Sequence, residues 1–227
     1  MILAGTFAYG SRVILFGIRS PLVVDVEETL QRCGIEIDAA VSVNDTPRMW
    51  DSSRIIDLKE FTARSGAPFF STAFSPLRRG ELIEQARALG LKLCEPLCDP
   101  TAIIPKFCRI GDGGFINAGV VIGAGTLLGE AVLVNRSASI GHHVALGDRV
   151  SVGPGATLAG DIRVGENSVI GAGAVIQPDV RIGSNVLVSA GAVVRKHVED
   201  NSLVAGNPAT SRPFKPTASS LMLRGGE

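Results

Sequence analysis

"IGAGTLLGEAVLVNRSASIGHHVALGD", residues 122 to 148, is the stretch on which the fold turns. Ile, Leu or Val stands at 122, 128, 134, 140 and 146, and glycine follows directly in four of those five places. The register runs on in both directions. Cut from Cys98, the chain reads as 17 consecutive hexads ending at Glu199, with no insertion and with Ile, Leu or Val at every first position after Cys98. Self-similarity at a fixed short period is the mark of a solenoid. Strand side chains alternate, so the first and fifth positions face inward while the third and fourth form corners. Three hexads close one triangular coil, and residues three hexads apart stack about 4.8 Å from each other.

Upstream of residue 97 the texture is different. "RVILFGI" (12–18) is an apolar, β-branched run of the kind that forms a buried parallel strand. "PLVVDVEETLQRCG" (21–34) has helical spacing, with proline at its start and glycine at its end. "IEIDAAVSV" (35–43) and "RIIDL" read as strands, "KEFTARSG" as a short helix, "APFFSTAF" as a strand and "GELIEQARALG" as a helix. Such alternation predicts a small parallel sheet flanked by helices. The expected fold class is therefore α/β plus β-solenoid. A Rossmann-like domain over 1–96 precedes a β-helix domain with a C-terminal tail over 97–227.

Composition excludes more than it assigns. Lys plus Arg and Asp plus Glu are 22 each, so no net charge draws the chain to nucleic acid. The cysteines at 33, 94, 98 and 108 match no zinc spacing and read as buried thiols in a reducing compartment. The opening "MILAGTFAYG" is apolar but has no basic flank and is too short to span a bilayer. A cytoplasmic protein without membrane insertion is the expectation.

Two of the three histidines, His142 and His143, stand side by side at a corner. A solvated corner would explain them, as it would His197. Metal binding is not expected, because adjacent histidines with no evident ligand cluster are poor ligands. General-base chemistry is the sharper reading: an imidazole titrates near neutrality and takes a proton from an amine or hydroxyl attacking a thioester. Three hexads beyond His142 lies Gly160, a candidate oxyanion donor, and beyond His143 lies Asp161, which could orient an imidazole. Pro154, Ala172 and Ala190 form a second corner column, bare enough for a thin pantetheine arm, although small residues also simply let corners turn.

"VNRSASIGHHVALGD", "GPGATLAGDI", "IGAGAVI" and "DNSLVAGNPA" resemble the bacterial hexapeptide-repeat sugar acyltransferases, within them the sialic-acid O-acetyltransferase and UDP-4-amino-sugar or perosamine N-acetyltransferase group. The resemblance covers nearly the whole chain. It implies a left-handed β-helix, acetyl-CoA as co-substrate with no metal, a sugar acceptor, and a homotrimer with active sites between subunits. It places His142 on the catalytic base, Gly160 on the acetyl-carbonyl donor, Ala172 and Ala190 on acetyl-CoA contacts, and Asn135 beside the acceptor. Arg195, Lys196 and Arg212 read equally as CoA-phosphate contacts and as solvated surface.

The chain departs from that family at three places. His143 stands where a carboxylate usually follows the base, and Asp161 is the expected compensation. Ser151 replaces a second histidine that helps to bind acetyl-CoA; its hydroxyl can still donate. The glycine-rich loop that wraps a nucleotide-sugar is replaced by Gly17-Ile18-Arg19-Ser20-Pro21, where Arg19 could bind phosphate by charge. "AFSPLRR" (73–79) replaces a glycine-and-asparagine run but keeps an arginine, Arg79, while Asn44 and Asp45 fit the family's acidic end of strand two. Gly17, Arg19, Ser20, Asn44, Asp45, Asn135 and His143 are thus the candidate acceptor residues. Another small acceptor, or a trimeric scaffold without catalysis, are the competing functions.

Overall fold

The structure, a computed structural model, describes residues 10–43 and 46–217. The apolar opening run up to Tyr9, the candidate residues Asn44 and Asp45, and the tail from Ala218 lie outside the described residues.

The hexads form a parallel β-solenoid. Each strand is two residues long, the sixth position of one hexad and the first of the next, and pairs with the strand 18 residues on: Ser139 with Thr157, Ile140 with Leu158. Three stacks result, one per side of the prism. First-position and fifth-position side chains fill the interior, as Val132, Ile140, Val144, Val150 and Leu158 do at 2% exposure or less. A narrow tube admits only such aliphatic groups, which is why the sequence repeats them. The fourth residue at every corner from Gly113 to Gly191 has positive φ. Where it is not glycine it is Asn, Asp, Ser, His, Arg or Ala and never β-branched, as that backbone region requires.

Sixth-position residues face outward and give the three sides their character. Phe115, Leu133, Ser151, Val169 and Leu187 form a docked side, buried beneath other parts of the chain. Val121, Ser139, Thr157, Val175 and Val193 form a valine side that carries no charge. Arg109, Leu127, Ala145, Arg163 and Arg181 form an arginine side. A hairpin of Ser202–Gly206 and Ala209–Pro213 ends the solenoid, its first strand extending the docked side beside Leu187.

The first domain contains β1 (Arg12–Phe16), α1 (Val23–Arg32), β2 (Glu36–Ser42), β3 (Ile55–Asp57), β4 (Pro68–Ser71), α2 (Pro76–Ala88) and β5 (Lys92–Leu93). The strands form one parallel sheet in the order β3-β2-β1-β4-β5. The short helix expected over "KEFTARSG" does not form: residues 61–64 have no regular structure. Helix α2 begins at Pro76, earlier than its apolar spacing suggested, because Pro at the first helical turn loses no hydrogen bond. No helix among the described residues is long and apolar enough to cross a membrane.

Two polar seams lock this domain onto the docked side. In one, Asp99 at the start of the solenoid accepts bonds from Thr29 Oγ1 (3.2 Å) and Arg32 Nη1 (3.2 Å) of α1, and from Thr101. Burial alone would push the Asp99 carboxyl up. Thr101's side-chain and backbone bonds, Arg32 and Thr29 outweigh it and hold the group below the usual carboxylate range. A carboxyl lowered in this way stabilises the fold above its unfolded pKa and loses that contribution as pH falls. Asp99→Asn is therefore expected to cost about 1.5–3 kcal/mol at pH 7, the worth of hydrogen bonds to a charged group. Urea titrations should show the gap from wild type narrowing towards pH 3; a gap independent of pH would refute the assignment.

The second seam is Arg79. It is 1% exposed. Its Nε donates to Ala131 O (2.9 Å), Nη1 to Ala73 O (2.7 Å) and Phe74 O (2.9 Å), and Nη2 to Arg149 O (2.6 Å) and Ser151 Oγ (2.9 Å). Burial pushes the Arg79 guanidinium down to about 9, aided by the charge of Arg149, so it stays protonated at neutral pH. The four cysteines are free, and burial pushes Cys98 up to about 12 and Cys108 up to about 11. As protonated thiols they are inert packing groups.

Candidate active site

His142 and His143 occupy the edge between the valine and arginine sides, between strands Ser139–Ile140 and Ala145–Leu146. His142 is the third residue of its corner and His143 the fourth, with φ +56°. The His142 ring lies directly over Gly160 of the next coil: a Cβ built there would stand 2.5 Å from His142 Cε1 and 2.6 Å from Nε2. Glycine is thus required at 160 for the imidazole to take this place. The backbone supports the pair, with Asp161 N donating to His142 O at 3.0 Å. Asp161 Oδ2 is 3.7 Å from His142 Nδ1, too long for a hydrogen bond. The two Nδ1 atoms of His142 and His143 are 3.0 Å apart. Two imidazoles and one carboxylate therefore lie within 4.8 Å of one another, a cluster that reading along the chain did not foresee as a possible metal ligand set.

The backbone of the corners also offers donors. The third-position N–H is capped by a side chain at several corners: Ala118 by Asn117, Glu130 by Asp148, Arg136 by Asn135, Ser184 by Asp200. At Gly160, Ala172 and Ala190, as at Asp112, Ala124, His142, Asp148 and Glu166, the same N–H has no partner among the described residues. Gly160, Ala172 and Ala190 are the positions picked out from the sequence for an acetyl carbonyl and a pantetheine arm. An uncapped N–H on a half-exposed corner is a donor available to a ligand. Uncapped corner amides outnumber capped ones among the described residues, so they supply donors along the solenoid without singling out a site by themselves.

Ala172 and Ala190 belong to a different edge from His142. They lie where the docked and valine sides meet, between strands such as Val169–Ile170 and Val175–Ile176. Within one chain the uncharged valine side separates the two groups. Asn135 shares the edge of Ala172 and is 8% exposed. Its Oδ1 accepts from Asn117 Nδ2 (2.9 Å) and Arg136 N (2.8 Å), and Asn117 and Arg136 both bind Asp25 of α1. It ties the solenoid to the first domain at the same edge.

Two expectations need correction. Ser151 is fully buried, donates to Phe74 O (2.7 Å) and accepts from Arg79, so its hydroxyl belongs to the domain seam and is not free for a cofactor. Gly17 has φ +78° and a Cβ there would collide with Leu82; its N–H donates to Val41 O and its carbonyl accepts from Thr72, so it shapes the loop rather than offering a donor. Ser20 begins the turn into α1, its Oγ accepting from Leu22 N at 3.3 Å. Arg19 is exposed beside it, with no partner among the described residues. Arg195, Lys196 and Arg212 are exposed, and His197 Nδ1 accepts from Arg181 N at 3.1 Å, a local structural role.

The parallel solenoid of hexads thus carries an exposed imidazole over a glycine at one corner. The family described as bacterial transferase hexapeptide (six repeats) matches residues 161–196. No curated protein matches the sequence. Among solved structures, a histidine-to-asparagine mutant of perosamine N-acetyltransferase from Caulobacter crescentus, in complex with CoA and GDP-perosamine, is 30% identical with TM-score 0.80, covering 90% of this chain and 98% of that one. The acetyltransferase domain of PglB from Neisseria gonorrhoeae FA1090, in complex with acetyl coenzyme A, is 28% identical with TM-score 0.75, covering 88% and 98%. WeeI from Acinetobacter baumannii AYE, 21% identical with TM-score 0.69 over 89% and 99%, shares the fold. The chain belongs to the hexapeptide-repeat sugar acetyltransferase family, acyl-CoA-dependent enzymes built on a left-handed β-helix.

Proposed function

We propose that this protein transfers the acetyl group of acetyl-CoA to an amino or hydroxyl group of a nucleotide-linked sugar, with His142 as general base. The observation that carries the reading is the His142 imidazole lying over Gly160, whose N–H is uncapped. In the reaction His142 Nε2 takes the proton of the attacking amine or hydroxyl as it adds to the thioester carbon. The Gly160 N–H meets the oxyanion that forms. Collapse breaks the carbon–sulfur bond, and the imidazolium returns its proton to the departing CoA thiolate. The uncapped amides of Ala172 and Ala190 suit the amide-bearing pantetheine arm. Arg19, exposed after β1, supplies positive charge for an acceptor phosphate where glycines are lacking.

The working form is a homotrimer. His142 and the Ala172–Ala190 column sit on different edges of one prism, so a complete site needs one edge from each of two subunits. The uncharged valine side between them suits burial in such an interface. Sedimentation should give about three times the 23.6 kDa chain mass; a monomer that still turns over acetyl-CoA would refute the shared site.

Gly160→Ala offers a specific test. The clash falls on a side chain able to move, so the melting temperature should stay near wild type. The imidazole must leave its place, and displacement by about 1 Å lowers kcat by about a hundredfold. Unchanged kcat would remove His142 over Gly160 from the mechanism.

A further inference from the structure

We infer that His143 is the positioning residue of the base: it accepts the Nδ1–H of His142 and thereby fixes the tautomer that leaves His142 Nε2 free to take a proton. This rests on the proposed role of His142 and deepens it. For Nε2 to be a base, the ring's single proton must sit on Nδ1, and the minor tautomer of a neutral imidazole needs an acceptor there to hold it. Two acceptors are candidates. Asp161 Oδ2 is 3.7 Å from His142 Nδ1, beyond hydrogen-bond reach, whereas His143 Nδ1 is 3.0 Å away. The rings meet edge to face at 80°, with centroids 5.2 Å apart, and the His143 ring lies over Gly125 of the preceding coil, where a Cβ would come within 2.8 Å of its Cδ2. His143 is thus held against one coil while His142 lies over the next. The two rings span three coils with their Nδ1 atoms facing.

The same atoms lie within the reach of a metal ion, together with Asp161. Hydrogen-bond geometry between the two nitrogens points them at each other rather than at a shared third position, which favours the dyad. His143 must then carry its own proton on Nε2. The partner of the base is neutral, and the Asp161 carboxylate lies 3.7 Å from His142 Nδ1, beyond hydrogen-bond reach. Protonating His143 removes the acceptor, so the dyad works only with both rings neutral; Asp161 is the charged group that faces them.

Nitrogen-15 NMR of histidine-labelled protein tests the tautomer, and two variants test its cause. Position 143 has positive φ, which glycine and asparagine both adopt without strain. The His143→Asn variant places an amide oxygen near the lost Nδ1, while His143→Gly leaves no acceptor. Wild type and H143N should show His142 protonated at Nδ1; H143G should show it mainly at Nε2. In acetyl transfer, H143G should lose about ten- to a hundredfold in kcat with the KM for acetyl-CoA unchanged, and H143N should recover most of it. A wild-type His142 protonated at Nε2, or an H143G enzyme with the wild-type tautomer and kcat, overturns the inference. If the tautomers behave as stated but the wild type transfers no acetyl group, the proposed function fails while the dyad stands.

Discussion

Replacing His142 with alanine is expected to lower kcat for acetyl transfer by about two to four orders of magnitude, the usual contribution of a positioned general base. Acetyl-CoA affinity should change little, because the donors proposed for the pantetheine arm are backbone amides on another edge of the solenoid. The fold should also be unaffected. The His142 side chain is 60% exposed and its ring bears on Gly160 without filling any core position. A loss that appears in KM alone would make His142 a binding group. A loss that is rescued by raising pH would indicate that the acceptor amine needs no base once deprotonated in solution.

The second large effect is on stability. Arg79→Met is expected to lower the unfolding free energy by about 3–5 kcal/mol, the range for removing one member of a buried, hydrogen-bonded charge network. Methionine matches much of the volume but leaves the carbonyls of Ala73, Phe74, Ala131 and Arg149 and the Ser151 hydroxyl without their donor. For a chain of this size that amounts to a fall of roughly 10 °C in melting temperature. Arg79→Lys should rescue little, since an ammonium has three donors and no planar fork. Calorimetry showing either variant within about 1 °C of wild type would mean that the domains are not held by this side chain.

Arg79 also shows where reading a sequence stops. The resemblance matched it to an arginine of the family without giving it a role, and the structure buries it at the seam, bonded only to neutral oxygens. Nothing in a linear run distinguishes an arginine that meets a phosphate from one that meets six carbonyl and hydroxyl oxygens, because several of those oxygens come from segments over 50 residues away. Ser151 was misplaced for the same reason: the resemblance put it where the family has a cofactor-binding histidine, but its strand turns it towards Phe74. The solenoid, by contrast, was legible down to single residues. Its neighbours are fixed by an arithmetic period, so Gly160 beside His142 and Asp161 beside His143 could be counted out. The same arithmetic could not say that Asp161 would stop short of His142 or that His143 would turn its Nδ1 towards it, since ring orientation depends on the glycines beneath. In the first domain the strands were evident from their apolar runs, while "KEFTARSG" stops at a single turn, with Glu60 N and Phe61 N bonded to Asp57 O, and does not propagate into a helix.

The measurement that bears most directly on the central claim is a calorimetric titration of acetyl-CoA into the assembled protein. The expected result is one saturable site per chain, with a dissociation constant in the ordinary range of about 1 μM to 1 mM for an enzyme's substrate, kept in His142→Ala. No binding at millimolar acetyl-CoA by protein of trimeric mass would contradict an acetyl-CoA-dependent transferase and leave the solenoid as an assembly scaffold.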